Sequence, residues 1–151
     1  MRLILLCVLL GPITLASALE YQAELPVAAY HLGGQTNCLG KPYNDTQFKS
    51  AGISLGLRED FDTRYAGVKA GTYENSWFIR SNYLVGDFGG RFGRFNLGAE
   101  AGIISGYRTR LAAAPYVEVL LTKDLSANLA YLQTTVARGH SAIGLTAGYH
   151  F

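Results

Sequence analysis

The sequence predicts an all-β fold: an eight-stranded antiparallel transmembrane β-barrel of the outer-membrane type. Three observations predict it. First, the chain is 49% hydrophobic and only 16% charged over 151 residues, with a mean hydropathy of +0.13. Second, its longest apolar run, Leu3–Leu10, falls far short of the ~18–20 residues that a spanning helix needs. Third, short segments of alternating polarity recur along the rest of the chain, separated by polar or Gly-rich breaks, which is the pattern of barrel strands. Thirteen basic against eleven acidic residues leave a formal net charge of +2, too balanced for a nucleic-acid binder.

The N-terminus reads as a cleaved secretory signal over residues 1–18, with residues 19–151 forming the barrel. Arg2 is a short positive region, Leu3–Leu10 the apolar region, Gly11-Pro12 a helix breaker and Ala16-Ser17-Ala18 a cleavage site. Cys7 leaves with the signal. The remaining Cys38 has no partner for a disulfide and one thiol makes no metal site, so neither cofactor nor metal is expected.

Eight strands are expected at about 24–32, 48–57, 64–73, 77–86, 94–104, 112–121, 125–134 and 142–151. The fifth places Phe95, Leu97, Ala99, Ala101 and Ile103 on one face and Asn96, Gly98, Glu100 and Gly102 on the other. The eighth sets Ile143, Leu145, Ala147, Tyr149 and Phe151 against Gly144, Thr146, Gly148 and His150. Apolar faces would meet lipid, and small or polar faces would line the interior. The alternation ends on the aromatic Phe151, the form of a C-terminal strand signal read by the barrel assembly machinery. With an even strand count both termini lie on the periplasmic side. Turns near 58–63, 87–93 and 122–124 then face the periplasm, and connections 33–47, 74–76, 105–111 and 135–141 face outward. Trp77, Phe92, Tyr107, Tyr131, Tyr149 and Phe151 fall near segment ends, where aromatic girdles form.

Inward parity places Lys69, Arg80, Glu100 and Glu118 in the lumen. Unpaired charge there is costly, so these groups are expected to pair. They read as a structural ion network or, alternatively, as a proton path. Several inward positions are glycine, Gly52, Gly56, Gly67, Gly71, Gly98, Gly102, Gly144 and Gly148 among them. They leave room for a slot or, equally, permit tight bending of a small barrel.

At the outer end, segment one closes with Pro26-Val27-Ala28-Ala29-Tyr30-His31, and the third connection reads Tyr73-Glu74-Asn75-Ser76-Trp77. A His near a Ser is the minimum for general-base acyl transfer. Pro-x4-His late in strand one, an amide or acid before Ser-Trp at the next outer tip, and Pro115 in strand six resemble the lipid A palmitoyltransferase family. The resemblance implies an eight-stranded outer-membrane barrel that moves an acyl chain from phospholipid to lipid A, with the chain held in an apolar interior slot. It implies His31 as general base, Ser76 as its hydroxyl partner and Asn75 at the family's Asp position, with Pro26 and Pro115 opening lateral access for lipid. Asn75 departs from the family, because an amide lacks the charge that stabilises an imidazolium. Only Leu19–Leu25 precede Pro26, too few for the family's amphipathic clamp helix.

Lys41, Lys49, Arg108, Arg110 and Arg138 make the outer rim basic, which suits lipid A phosphates, with Arg108, Arg110 and Arg138 as the expected contacts. His140-Ser141 lies in the last outer loop and reads as an ordinary loop pair. The expected partners are membrane lipids and the assembly machinery through Phe151, with the barrel a monomer. The competing reading is a small non-enzymatic barrel with a structural or surface-interaction role.

Overall fold

A computed structural model describes residues 19–32, 52–75, 79–107, 109–133 and 141–151. The signal segment 1–18 lies outside the described residues. Eight strands are seen: β1 (Leu19–Leu32), β2 (Ile53–Phe61), β3 (Arg64–Glu74), β4 (Arg80–Phe92), β5 (Phe95–Ile104), β6 (Leu111–Leu120), β7 (Leu125–Leu132) and β8 (Ser141–His150). Each pairs antiparallel with the next, and β8 returns to β1, closing the barrel. Closure is what the alternation demands: every strand has one apolar and one polar face, and a sealed ring leaves no edge unpaired.

The apolar face points outward on every strand. Leu55 (60% exposed), Leu97, Leu111 (70%), Leu129 and Ile143 stand on the exterior, forming a belt whose exposure a water-soluble core would never tolerate. Tyr21, Phe92, Phe95, Tyr149 and Phe151 ring one edge of the belt, and Tyr30 and Tyr131 stand at the other. Tyr21 stacks on Phe151 with ring centroids 6.0 Å apart, and their backbones exchange both hydrogen bonds, so the two strand ends seal each other. Tyr107 was expected in a girdle but turns inward instead, its hydroxyl 2.8 Å from that of Tyr73. Trp77 lies outside the described residues.

The strands run further toward one end than their polarity suggests. β1 starts at Leu19, β2 continues to Phe61 and β4 to Phe92. The stretches 58–63 and 87–93, expected as turns, are mostly strand. The turns themselves are the pairs Asp62-Thr63 and Gly93-Arg94, with Asp62 at φ 61° and Gly93 at φ 64°. Two-residue hairpins take a left-handed first residue readily when it is Gly or Asp. This end, with the 121–124 connection, is the turn end of the barrel; the connections after β1, β3, β5 and β7 form the loop end.

Two of the eight ladders are short. Among the described residues β1–β2 is registered from Leu19↔Glu59 to Glu24↔Ser54, and β6–β7 from Tyr116↔Ala130 to Leu120↔Ser126. The other six hold eight to eleven pairs each. Each short ladder stops beside a proline. Pro26 follows Glu24 by two residues and sits at a bulge against β8, and Pro115 immediately precedes Tyr116. Proline has no N–H to give a ladder, so at Pro115 the pairing opens although β6 and β7 both continue; the residues that would face Val27–Leu32 from the β2 side lie outside the described residues. Tyr131 and Leu132 still pair with β8 where β6 has left them.

Candidate functional site

The lumen is built from one residue in two on each strand, and its turn-end half is filled with charge. Arg58 (β2) reaches across to Asp87 (β4) at 2.9 Å and to Glu118 (β6) at 2.9 Å, with its guanidinium 4.3 Å from the centre of the Tyr65 ring. The Tyr116 hydroxyl donates to Asp87 and lies 2.7 Å from the Tyr65 hydroxyl. Asn96 donates to Glu118 at 2.7 Å. Arg58 is 1% exposed, so this cluster is a buried ion triad, stable only because each charge meets several partners.

Nearer the turn-end mouth, His150 Nδ1 faces Glu20 at 2.6 Å, while Nε2 faces Glu118 at 3.1 Å and Ser126 Oγ at 2.9 Å. Ser126, His150 and Glu20 have the connectivity of nucleophile, base and carboxylate. The second carboxylate on the same nitrogen makes the ring a bridge between two anions, which is the partner set of an imidazolium rather than of a general base. Arg91 binds Glu20 at 2.9 Å and Asp60 at 2.8 Å and closes the mouth.

At mid-height Lys69 binds Glu24 at 2.8 Å and Glu100 at 2.6 Å. The expected pairing of inward charges is therefore seen for Lys69 with Glu100. Glu118 instead pairs with Arg58. Arg80 is corrected: it stands on the outward parity of β4 and is exposed, because Ser81, Tyr83, Val85 and Asp87 carry that strand's inward face. Sequence reasoning missed Arg58, Asp87, Glu20, Glu24, Arg91 and His150 as partners. A signal was present: Arg58 and Asp60 continue the parity of Ser54 and Gly56, and Asp87 and Arg91 that of Tyr83 and Val85.

The inward glycines divide into three kinds. At Gly67 and Gly102 an added Cβ would strike the carbonyl of the neighbouring strand, Leu57 and Leu84 respectively, so these glycines permit bending. At Gly56, Gly71 and Gly98 it would strike Gln22, Tyr83 and the Tyr65–Tyr116 pair, so they make room for large partners. At Gly144 no described atom lies closer than Ala130 O at 4.0 Å. The registers Ala130↔Gly144↔Ala29 and Leu132↔Ala142↔His31 set small residues around that opening, with Ala114 on β6 beyond the end of the β6–β7 ladder. Among the described residues, the loop-end half of the lumen on this side is thus lined mostly by small apolar side chains.

The loop-end rim is braced across two connections. Asn75, 5% exposed, donates Nδ2–H to Ser81 Oγ at 3.0 Å and to Gly106 O at 3.2 Å, and its Oδ1 accepts from Ile79 N at 3.2 Å. Gly106 holds φ +80°, and an added Cβ would lie 2.5 Å from Ser81 Oγ, so both backbone and space disfavour a side chain there. Ser105 and Asn82 exchange two further bonds of 2.8 Å. Burial pushes the Tyr107 hydroxyl above the usual tyrosine range, so its bond to Tyr73 stays neutral.

His31 ends β1 pointing inward at this rim and is 7% exposed. Asn75 stands at the same end on the far side of β2. Ser76, Arg108, Arg138 and His140 lie outside the described residues. Arg110 is exposed in the β5–β6 connection. Ser141, expected as a loop residue, begins β8 and lies 2.8 Å from the Tyr131 hydroxyl.

No family model and no curated protein matches this chain. A solved structure titled "De novo design of transmembrane beta-barrels" is similar, with a TM-score of 0.52 and 9% identity over 88% of this chain and 94% of that one. At that identity the likeness is one of fold alone: a closed all-β barrel.

Proposed function

We propose that this chain is an outer-membrane barrel that takes a lipid acyl chain into its loop-end lumen and transfers it at the outer leaflet, in the manner of a lipid A acyltransferase. One observation carries the reading. The β6–β7 ladder stops at Pro115 while both strands continue, and this gap borders the half of the lumen lined by Ala29, Ala114, Ala130, Ala142 and Gly144. A tail entering sideways through such a gap never crosses the charged half. It loses no hydration, because the bilayer and the small-residue wall are equally apolar.

In this reading His31 takes the proton from the attacking lipid A hydroxyl as the new ester forms and returns it to the departing lysophospholipid oxygen as the phospholipid ester breaks, with Ser76 the hydroxyl partner of His31 at the rim. Asn75 holds the Ser76 connection through Ser81 and Gly106 rather than supplying charge. The barrel sits in the outer membrane after loss of residues 1–18, with Phe151 presented to the assembly machinery and Arg108, Arg110 and Arg138 facing lipid A phosphates. The test is mass spectrometry of lipid A from Gram-negative cells expressing the chain. One added acyl chain is expected, and it should vanish in His31→Ala. Unmodified lipid A beside a correctly inserted barrel would refute the transfer.

A second reading is a non-enzymatic small barrel with a structural or surface role. The Lys69–Glu24–Glu100 bridge across mid-lumen favours it, because it stops any slot well above the turn end.

A further inference from the structure

The outward belt is grooved on the β1–β4 face. Two rows cross that face in register, Tyr21↔Leu57↔Val68↔Gly86 and Ala23↔Leu55↔Ala70↔Leu84, and each sets large side chains beside small ones. The result is an apolar groove of about 350 Å³, lined by Leu55, Leu57, Val68, Ala70 and Leu84, with the stacked rings of Tyr21 and Phe151 at its β1 side. All of these side chains are exposed.

The outward face of β3 leads from this groove to a cation. Val68 is followed toward the turn end by Ala66 and then Arg64, four residues or about 14 Å of strand away. Arg64 is exposed, and its side chain makes no hydrogen bond or ion pair among the described residues. It stands at the turn-end margin of the belt, beside Phe61 in register, and the Phe92 ring lies against its other register partner, Gly90. That margin is where lipid headgroups meet a barrel wall. Glu59 pairs with Ala66, which puts it diagonally across from Arg64, roughly 7–8 Å away between backbones.

We propose that this face holds one zwitterionic phospholipid of the turn-end leaflet, its phosphate on Arg64 and one acyl chain in the groove. A guanidinium matches a phosphate with two parallel hydrogen bonds. Ala66 keeps the track between phosphate and groove low, so the glycerol and first methylenes can lie over it. Glu59 favours a head that carries an ammonium beside its phosphate over a head that is anionic throughout. The proposal rests on the barrel lying in a bilayer, and not on acyl transfer.

Native mass spectrometry of the full barrel released from detergent micelles counts the lipids it carries. The probes are dioleoyl phosphatidylethanolamine, dioleoyl phosphatidylglycerol and dioleoylglycerol, which has the same chains and no phosphate. Expected is one saturable adduct with phosphatidylethanolamine, and affinity about tenfold weaker for dioleoylglycerol, the size of one charge-assisted hydrogen bond. Arg64→Gln should bring the phospholipid down to the level of dioleoylglycerol. Ala70→Phe, which fills the groove from an exposed position, should abolish the adduct. Arg80→Gln, at the loop end of β4, should leave both affinities unchanged. Equal affinity for phosphatidylethanolamine and dioleoylglycerol overturns the proposal, as does a preference for phosphatidylglycerol. So do adducts that mount past one without saturating, which is ordinary annular lipid, and an adduct that survives Ala70→Phe. A lipid-free dimer would put a second copy in the groove and overturn it too. Lipid A plays no part in this titration, so its failure leaves the test of transfer standing, and the reverse holds too.

Discussion

The two halves of this lumen solve the same problem in opposite ways. Toward the turn end, eight strands enclose a ring that is filled by long charged side chains, Arg58 and Lys69 each held between two carboxylates. Toward the loop end, on the β7–β8–β1 side, the described part of the same ring is lined by Ala and Gly. A barrel of this size has just enough interior for side chains to fill it or for one small ligand to enter. The filled half fixes the shape of the cylinder, and that rigidity allows the other half to be built from small side chains. The ladders tell the same story: β6–β7 opens at Pro115, at the small-residue half, and the pairing is continuous around the charged one.

The largest expected break in this contrast is Arg58→Met. It strands Asp87 and Glu118 in a buried site, and loss of one partner from such a cluster costs about 3–5 kcal/mol. Urea titration of the barrel in phospholipid vesicles should show it; an unchanged midpoint would mean that the triad contributes little to closure. Next come two identical substitutions in the two halves. Gly98→Ala drives a methyl into the Tyr65–Tyr116 pair and the Phe88 carbonyl, and should cost about 1–3 kcal/mol. Gly144→Ala brings its methyl no nearer than 4.0 Å to any described atom and narrows the unfolded ensemble, so stability should hold or rise by about 0.4–1 kcal/mol. Equal losses at both sites would erase the distinction between a packed and an open half.

Asn75→Asp addresses the rim. It replaces a donor to Gly106 O by an acceptor, and a loss of about 1–3 kcal/mol is expected in the same titration. No loss would free position 75 from the bracing role and return it to the chemistry of His31. The smallest effect belongs to Arg80→Ala. An exposed outward arginine should change stability by less than about 1 kcal/mol, whereas a lumen arginine would behave like Arg58.

Much of this was legible in the chain. The strand count, the outward residues of β2, β5 and β8, the inward Lys69, Glu100 and Glu118 and the exposed aromatics Phe92, Tyr131, Tyr149 and Phe151 all follow from period-two alternation. Arg58, Asp60, Asp87 and Arg91 were not read as lumen residues. Charged residues beside Gly and Asp carry the same local signature whether they sit in a solvent turn or inside a barrel. The candidate site was legible only in part. His31, Pro26 and Pro115 could be singled out from their neighbours in sequence. The buried Asn128 Oδ1 and Thr146 Oγ1, which find no hydrogen-bond partner among the described residues, could not, because nothing local marks a polar residue as lacking a partner.

By itself the sequence determined a sealed cylinder with a greasy exterior, since alternation dictates which face each strand offers and closure is how eight such strands satisfy their backbones. Only the tertiary structure decided what the interior does. Which glycine bends a strand, which admits a tyrosine and which leaves a void depends on side chains brought from strands as far apart as β2 and β6. So does the choice of carboxylate that Arg58 or Lys69 holds. Those meetings are set by the register and curvature of the closed ring, which no segment of the chain encodes alone.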